Sequence, residues 1–269
     1  ITLDPVFKLC LIELEAVETS NLEEKILEAL AEQWGLENLV LEAETMRTGH
    51  GCLDNLKTLT VGIRDMEKVV SIWPGLQERA LGVGVDVGST TIAGHLCDLT
   101  SGTVLATAGV MNPQIRFGED LMSRVSYAMM NPGGEVEMTE AVRETLDSLI
   151  QELCEESGAQ KEEVLEITIV GNPVMHHLFL GLDPIPLGQA PFILGLKDAA
   201  DFSANELDLS CHPASRVHVL PCIAGHVGAD TAAVILATRL QDYEQDEVIA
   251  VVDVGTNAEI VLSGRNRVL

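Results

Sequence analysis

Two short segments of the chain place an aspartate, a glycine and hydroxyl-bearing residues directly after an apolar run. The first reads Val85-Asp86-Val87-Gly88-Ser89-Thr90-Thr91 and the second reads Val252-Asp253-Val254-Gly255-Thr256-Asn257. A tight glycine turn between two strands presents backbone N–H groups and hydroxyls in a concave arrangement that binds phosphate oxygens. An aspartate after a buried strand is costly unless a cation or hydrogen bonds satisfy it. The pair predicts one cleft for a nucleotide and Mg²⁺, unlike a Walker P-loop because neither turn contains a lysine.

The composition limits the classes of function. The chain has 269 residues, of which 46% are hydrophobic and 3% aromatic, so we expect a core of small aliphatic side chains in an α/β arrangement. Its formal net charge of −26 repels phosphate backbones and anionic membrane surfaces. No apolar run reaches the roughly 18 residues that cross a bilayer. We therefore expect neither a nucleic acid nor a membrane as a partner.

The six cysteines stand apart in the sequence, with no Cys-x-x-Cys pair to bind zinc or an iron–sulfur cluster. We expect reduced thiols and a cytoplasmic location. The chain does not begin with Met, and its last residues resemble part of a strand. We therefore expect it to be a piece of a longer protein.

The order of predicted elements divides the chain into three segments. Residues 1–79 are predicted to form a small α+β domain, with a helix that begins near Leu22 and ends at Gly35, and with a linker after Trp73. Residues 80–246 read as strand, turn, strand, turn, strand and then helices. The three-strand pattern begins again in residues 247–269. This repeat predicts duplicated βββα half-domains, the second one incomplete, behind the small domain.

Two such hairpins opening successive half-domains resemble the superfamily of acetate and sugar kinases, Hsp70 and actin, whose ribonuclease H-like lobes close over ATP. Within it, three ordered motifs resemble the ATP-dependent reductive activators of corrinoid proteins. They are Asn112-Pro113-Gln114 with Phe117-Gly118-Glu119-Asp120-Leu121-Met122-Ser123-Arg124, Val170-Gly171-Asn172-Pro173-Val174-Met175-His176-His177, and Ala224-Gly225-His226-Val227-Gly228-Ala229-Asp230-Thr231. The resemblance covers residues 81–269 and extends less closely to residues 1–80.

This resemblance implies a function. Corrinoid methyltransferase systems work through Co(I), which occasionally oxidises to inactive Co(II), and the activators restore Co(I) with an electron from a low-potential donor and with ATP. The resemblance implies ATP or ADP and Mg²⁺ as ligands, a corrinoid protein in its Co(II) state as partner, and a homodimer. Such activators hold a two-iron two-sulfur cluster in an amino-terminal ferredoxin-like domain, which we expect this chain to lack.

The resemblance also assigns roles to residues of the two turns. The residues predicted to surround the phosphates are Gly88, Ser89, Thr90 and Thr91 on one side and Gly255, Thr256 and Asn257 on the other. Asp86 and Asp253 are predicted to hold Mg²⁺ through its water shell, because Mg²⁺ dehydrates reluctantly.

Three further positions have both a functional and a structural interpretation. Asp230 is the candidate catalytic residue that orients an attacking water, but a helix N-cap beside Gly228 explains it equally well. Asn172 either lines the cleft, as in the family, or caps a turn. His176 and His177 are adjacent and should point to different faces of an element, so we favour structural roles over a shared metal ion.

Two other functions fit the same sequence, and a third lacks the residues that it needs. In a small-molecule kinase of the superfamily, Asp230 would take a proton from an acceptor hydroxyl. A nucleotide-gated binding module of the actin or Hsp70 type would have no redox role. An activator of radical dehydratases usually needs cysteines that share a cluster across a dimer, and no cysteines here have that spacing.

Overall fold

The computed structural model describes residues 5–14, 21–41, 45–46, 57–240, 248–255, 258–264 and 267–268. Three sheets follow one another along the chain. None of the helices in these ranges is both long and apolar enough to cross a bilayer. Thr256 and Asn257 lie outside the described residues.

The first sheet has four strands in the order β1-β3-β4-β2 and packs against one helix. Its elements are β1 (Phe7–Glu13), α1 (Leu22–Trp34), β2 (Val40–Leu41), β3 (Thr58–Arg64) and β4 (Lys68–Pro74). Helix α1 ends as predicted at Gly35, whose φ of 66° is the left-handed conformation that glycine adopts without a Cβ clash. Strand β4 corrects the sequence analysis, which saw only the turn that follows it.

The second sheet has six strands in the order β7-β6-β5-β8-β10-β9. Its strands are β5 (Leu81–Val87), β6 (Thr91–Asp98), β7 (Val104–Met111), β8 (Val164–Gly171), β9 (Ala200–Ser203) and β10 (Arg216–Val219). The predicted three-strand meander β5-β6-β7 is antiparallel, whereas β8 is parallel to both β5 and β10. This combination is the ribonuclease H-like topology that the sequence repeat predicts.

Helices cover this sheet and connect its strands. They are a 3-10 helix at Pro113–Phe117, α2 (Leu121–Met130), α3 (Gly134–Ser157), α4 (Pro173–Leu180) and α5 (Ala229–Thr238). Helix α3 begins at Gly134. The start is possible because Gly134 has no side chain, and a Cβ there would lie 2.8 Å from the Tyr127 ring. Val142, Leu146 and Leu153 of α3 are buried in the core against the sheet.

The third sheet consists of β11 (Ile249–Val254), β12 (Ala258–Gly264) and β13 (Arg267–Val268), all antiparallel. Strands β11 and β12 repeat the β5-β6 hairpin, with the predicted glycine turn between them. The first two sheets meet at a small apolar cluster of Phe7, Val70, Ala80 and Leu165.

Candidate nucleotide site

The first predicted turn lies at the end of β5. Val83, Val85 and Val87 face the core, so the alternation of the strand places Gly84 and Asp86 on the opposite, open face. A Cβ at Gly84 would meet no atom within 4 Å. Because Gly84 has no side chain, the space beside the Asp86 carboxylate is open.

Gly88 makes the tight turn from β5 to β6 possible. A Cβ at this position would lie 2.5 Å from the carbonyl oxygen of Thr91, a distance that real Cβ atoms do not show. Ser89 is buried, whereas Thr90 and Thr91 are exposed. The turn therefore brings two threonine side chains to the surface beside Asp86.

Two buried side chains hold the carbonyl groups of this turn. Asn112 donates from Nδ2 to the carbonyl oxygen of Gly88 at 2.7 Å and from its backbone N–H to that of Thr90 at 2.8 Å. Arg124 donates from Nη2 to the carbonyl oxygen of Ser89. Both residues are fully buried. The sequence analysis assigned neither of them a role.

Another glycine turn, at Gly171, follows β8, the strand parallel to β5, at the same edge of the sheet. Val87 of β5 is level with Gly171 of β8, and a Cβ at Gly171 would lie 2.8 Å from the Val87 carbonyl oxygen. The side-chain oxygen of Asn172 accepts hydrogen bonds from the N–H groups of Val174 and Met175, at 3.1 and 3.0 Å. Asn172 therefore caps helix α4, which agrees with its structural interpretation. It lies at the edge of the predicted cleft.

Asp230 lies near the beginning of helix α5. This helix packs directly on the turn that follows β8. A Cβ at Gly228 would lie 2.5 Å from the Gly171 carbonyl oxygen and 2.6 Å from the Cα of Asn172. The N-cap of α5 is Gly228 itself, so Asp230 is not the N-cap that the structural interpretation expected. Its Oδ1 accepts a hydrogen bond from the N–H of Thr231 at 2.7 Å.

Four carboxylates influence one another across the cleft. We call Asp86, Asp230, Asp253 and Glu259 the acidic cluster. Although Asp86 is exposed at the surface of the cleft, surrounding protein limits its hydration, and this desolvation together with Asp230 and Asp253 raises its pKa to about 6. Desolvation, with Asp253 as a further cause, raises the pKa of Asp230. Desolvation, Asp230 and Asp253 raise the pKa of Glu259.

Glu259 was missed by the sequence analysis. It lies on β12 directly opposite Asp253 of β11. Two like charges in this arrangement destabilise an antiparallel pair unless a cation compensates them. The relation depends on the strand register, which only the fold reveals.

The acidic cluster fits a hydrated cation better than a directly ligated one. Carboxylates that raise one another's pKa attract positive charge. In the described part of the chain, however, no three Asp, Glu, His or Cys side chains converge closely enough to hold a metal ion. Because Mg²⁺ keeps most of its waters, Asp86 and Asp253 are suited to hold it through them.

A cavity of about 800 Å³ adjoins the cleft. Its walls come from the beginnings of α2, α4 and α5, from residues 223–227 and from β12, and they include Thr231 and Glu259. Most of the other lining side chains are apolar, such as Leu187, Ile235 and Ile260. The cavity lies between the half-domain of the second sheet and the hairpin of the third.

His176 and His177 are both buried in α4. His177 donates from Nδ1 to the Pro173 carbonyl oxygen at 2.8 Å and accepts at Nε2 from the Gly195 N–H, also at 2.8 Å, which fixes a neutral ring. Burial and the neighbouring His177 lower the pKa of His176 to about 4. The two rings lie in contact, with Nδ1 atoms 3.4 Å apart, contrary to the expected separation. The bonds of His177 nevertheless agree with a structural role.

The described cysteines are free thiols, and burial raises the pKa of Cys154 to about 11 and that of Cys211 to about 12. Such thiols are protonated at neutral pH. Cys52 lies outside the described residues.

The meander followed by parallel strands, together with a repeated glycine hairpin, defines an α/β protein of the actin-like class. Residues 81–243 match the family described as the RACo middle region, and the chain belongs to this family. The sequence is 36% identical over 181 residues to the corrinoid activation enzyme RamQ of Eubacterium limosum, which is 67% of this chain and 30% of that protein.

Among solved structures, a reductive activator for a corrinoid, iron-sulfur protein is similar to the whole chain. The TM-score is 0.86 and the sequence identity is 32%, over 100% of this chain and 44% of that one. The chain thus spans less than half the length of either relative.

Proposed function

We propose that this chain is the nucleotide-binding and partner-docking part of an ATP-dependent reductive activator of corrinoid proteins. Membership of the RACo middle region family and the names of both relatives support this proposal. The observation that carries it is the acidic cluster, because four carboxylates beside the two glycine turns lie within electrostatic range of one another. Such a cluster needs a cation, and a cation beside phosphate-binding turns suits a nucleotide.

In this proposal Asp86 and Asp253 would hold Mg²⁺ through its water shell, and the ion would supply positive charge beside the triphosphate of ATP. Thr90 and Thr91 on the first turn, and Gly255 with Thr256 and Asn257 on the second, bind the phosphate oxygens. Asp230 orients the water that attacks the terminal phosphate, and its raised pKa makes it a better base than an ordinary aspartate. Most of the catalysis is positioning and charge neutralisation.

ATP drives the reduction through differential affinity. Reduction of Co(II) to Co(I) is uphill, and a protein that binds one coordination state of the cobalt more tightly when ATP is present shifts that equilibrium. Hydrolysis then releases the partner. The electron comes from a low-potential donor, and no step is routed through the described cysteines because they do not form a set of cluster ligands. A homodimer is part of the proposal and is tested by light scattering.

The test follows the absorbance of Co(I) in a mixture of the full-length protein, a low-potential reductant and an oxidised corrinoid protein. We expect Co(I) to appear with ATP and not without it. The variant Asp86→Asn should lose most of the ATP-dependent signal, whereas Glu152→Gln, which changes an exposed carboxylate on α3, should keep it. Absence of ATP-dependent Co(I) with the unchanged protein would contradict the proposal.

The same preparation separates this function from a small-molecule kinase. A coupled assay for ADP across sugars and acyl acids should show no acceptor that strongly stimulates turnover. Strong stimulation by one of them would favour the kinase instead.

A further inference from the structure

One of the motifs that carry the family resemblance lies outside the residues predicted to bind phosphate or Mg²⁺. Asn112, Gln114 and Arg124 belong to this motif, and in the structure all three are fully buried beneath the first turn. A buried arginine is unusual, because removing a guanidinium from water is costly unless its charge and its N–H groups are satisfied.

Asn112 and Arg124 together donate to three successive carbonyl groups of the turn. The Gly88 carbonyl accepts from the Asn112 side chain, the Ser89 carbonyl accepts from the Arg124 side chain, and the Thr90 carbonyl accepts from the Asn112 backbone N–H. In a trans peptide unit the C=O and the following N–H point in opposite directions. Carbonyl groups held toward the interior therefore turn the N–H edge of the peptide units outward, toward the cleft.

A network of hydrogen bonds fixes Arg124 in this position. Its Nε donates to the Gly118 carbonyl oxygen at 3.0 Å, and its Nη1 contacts Gln114 Oε1 at 3.4 Å and the sulfur of Met175 at 3.0 Å. Gln114 in turn donates from Nε2 to the Met138 carbonyl oxygen at 2.9 Å. Residues from the 3-10 helix, α2, α3 and α4 thus converge on one guanidinium.

The charge of Arg124 is not neutralised by these contacts. All four acceptors are uncharged, and within the described ranges the guanidinium forms no ion pair with a carboxylate. Burial lowers its pKa to about 10, while the Asp120 carboxylate, which is not hydrogen-bonded to it, acts in the opposite direction, so Arg124 remains a cation at neutral pH. A positive charge thus lies behind the first turn, on the side opposite to the cleft and its acidic cluster.

We propose that Arg124 is a positioning residue for the first turn: it holds the Ser89 carbonyl inward, keeps the N–H edge outward, and supplies the positive charge that an incoming phosphate meets. This inference rests on the proposed nucleotide site. It explains why an arginine and an asparagine, rather than apolar residues of similar volume, occupy the core at this point.

The test measures the affinity for MgADP by isothermal titration calorimetry. Arg124→Met keeps much of the volume and removes the charge and the hydrogen bonds, and we expect affinity to fall about 10-fold or more. The matched control is Arg143→Met. Arg143 of α3 also bonds a backbone carbonyl, that of Phe179 at 2.9 Å, and a side chain, Asp208 at 2.9 Å, but it contacts the carboxyl end of α4 and not the first turn. The control should lose thermal stability and keep its affinity for MgADP within about twofold.

Arg124→Lys is the conservative variant. It keeps a positive charge but lacks the planar guanidinium group that reaches several acceptors at once. Its affinity for MgADP should therefore lie between that of the unchanged protein and that of Arg124→Met. If Arg124→Met does not fold, Arg124→Lys decides, and affinity equal to that of the unchanged protein would overturn the inference. Equal weakening by Arg124→Met and Arg143→Met would also overturn it, since a general loss of stability would then explain both. An unchanged protein that does not bind MgADP would contradict the proposed function as well.

Discussion

Four carboxylates beside two glycine turns are an unfavourable arrangement for a folded chain on its own. Asp86, Asp230 and Glu259 all have raised pKa values, with desolvation as the first cause and neighbouring carboxylates as the next. When its carboxylates are ionised, the cluster is therefore less stable than the same residues would be if they were far apart. A cation offsets this repulsion, and so the chemistry of the residues predicts that metal binding and stability are linked.

Asp253→Ala should abolish most of the binding of MgADP while leaving the fold intact. Asp253 is half-buried on β11 and interacts electrostatically with the three other members of the cluster. Losing one carboxylate that holds the water shell of Mg²⁺ should weaken affinity by about 10-fold or more, measured by calorimetry. Glu152→Gln serves as the control. Unchanged affinity in Asp253→Ala would mean that the cation binds elsewhere.

Asp86→Asn should stabilise the metal-free protein at neutral pH. The pKa of Asp86 is about 6 in the folded chain, against 3.8 in its ordinary state, so between these values the folded state binds more protons than the unfolded one. Stability from this group is present below about pH 3.8 and falls as pH rises through 6. Thermal unfolding at pH 7.5 without metal should therefore show a Tm higher by roughly 1–3 °C in the variant.

When MgADP is added, the order of the two Tm values should reverse, with Asp86→Asn below the unchanged protein. MgADP should raise the Tm of the unchanged protein and have little effect on Asp86→Asn. A variant that is less stable without metal at pH 7.5, or that responds fully to MgADP, would contradict the role given to Asp86.

At the scale of elements, close backbone contact joins α5 to the turn after β8. The contact exists only because Gly228 and Gly171 lack side chains. It places Asp230 at the carboxyl edge of the parallel strands, where α/β sheets form their ligand crevices.

Gly228→Ala should separate these elements. The added Cβ would meet backbone atoms at 2.5 and 2.6 Å, which cannot move as a flexible side chain would. We expect the free energy of unfolding to fall by about 2 kcal/mol, with weaker MgADP binding, measured by urea denaturation and calorimetry. Gly109→Ala on β7 is the control, because its nearest contact is 3.7 Å away. Equal effects of the two variants would contradict the packing described here.

The strands with local signals were predictable from the sequence. Residues 81–111 alternate apolar and small or polar residues between glycine turns, and the three-strand meander is confirmed there. Lys68–Pro74 was missed because the turn signal of Trp73-Pro74-Gly75 dominated the interpretation of that segment. Ala200–Ser203 alternates apolar and polar residues over only four positions, too short a run to predict a strand, and it becomes one through pairing with β10.

Two features of the site required the fold. Glu259 joins the acidic cluster through its cross-strand position opposite Asp253, a register that a single segment does not encode. Arg124 lies on a helix, where an arginine is usually solvated, and only the convergence of four elements shows that it is buried under Ser89. Asp86 and Asp253, in contrast, were recognisable because each follows an apolar strand and precedes a glycine.

At the scale of the whole molecule, an ion pair connects the first sheet to the second. Arg64 of β3 and Glu166 of β8 lie 3.0 Å apart, and both are largely buried. Desolvation raises the pKa of Glu166 to about 7, and Arg64 acts in the opposite direction. Strand β8 runs from this ion pair to the turn at Gly171, so one strand joins the sheet interface to the candidate nucleotide site.

Arg64→Met should destabilise the protein more at high pH than at low pH. Without Arg64 the buried Glu166 carboxylate loses its partner and its pKa rises further, so the folded state takes up a proton and stability falls as pH increases through 7. We expect a loss of about 2 kcal/mol at pH 8 and a smaller one at pH 6, measured by urea denaturation.

The control for this prediction is Arg79→Met. Arg79 pairs with Glu163 at 3.3 Å but is 39% exposed, so its loss should matter less and should depend little on pH in this range. A larger effect of Arg79→Met, or a loss from Arg64→Met that does not vary with pH, would contradict a buried contact between the two sheets.

Electron paramagnetic resonance of Mn²⁺, used in place of Mg²⁺, examines the metal and the nucleotide in one experiment. With ADP present and the solvent enriched in ¹⁷O-water, we expect Mn²⁺ to bind tightly, to show line broadening from several coordinated waters, and to lose this signal in Asp253→Ala. Mn²⁺ that binds equally well without ADP, or that has exchanged its waters for protein carboxylates, would contradict a hydrated metal nucleotide held between the two glycine turns.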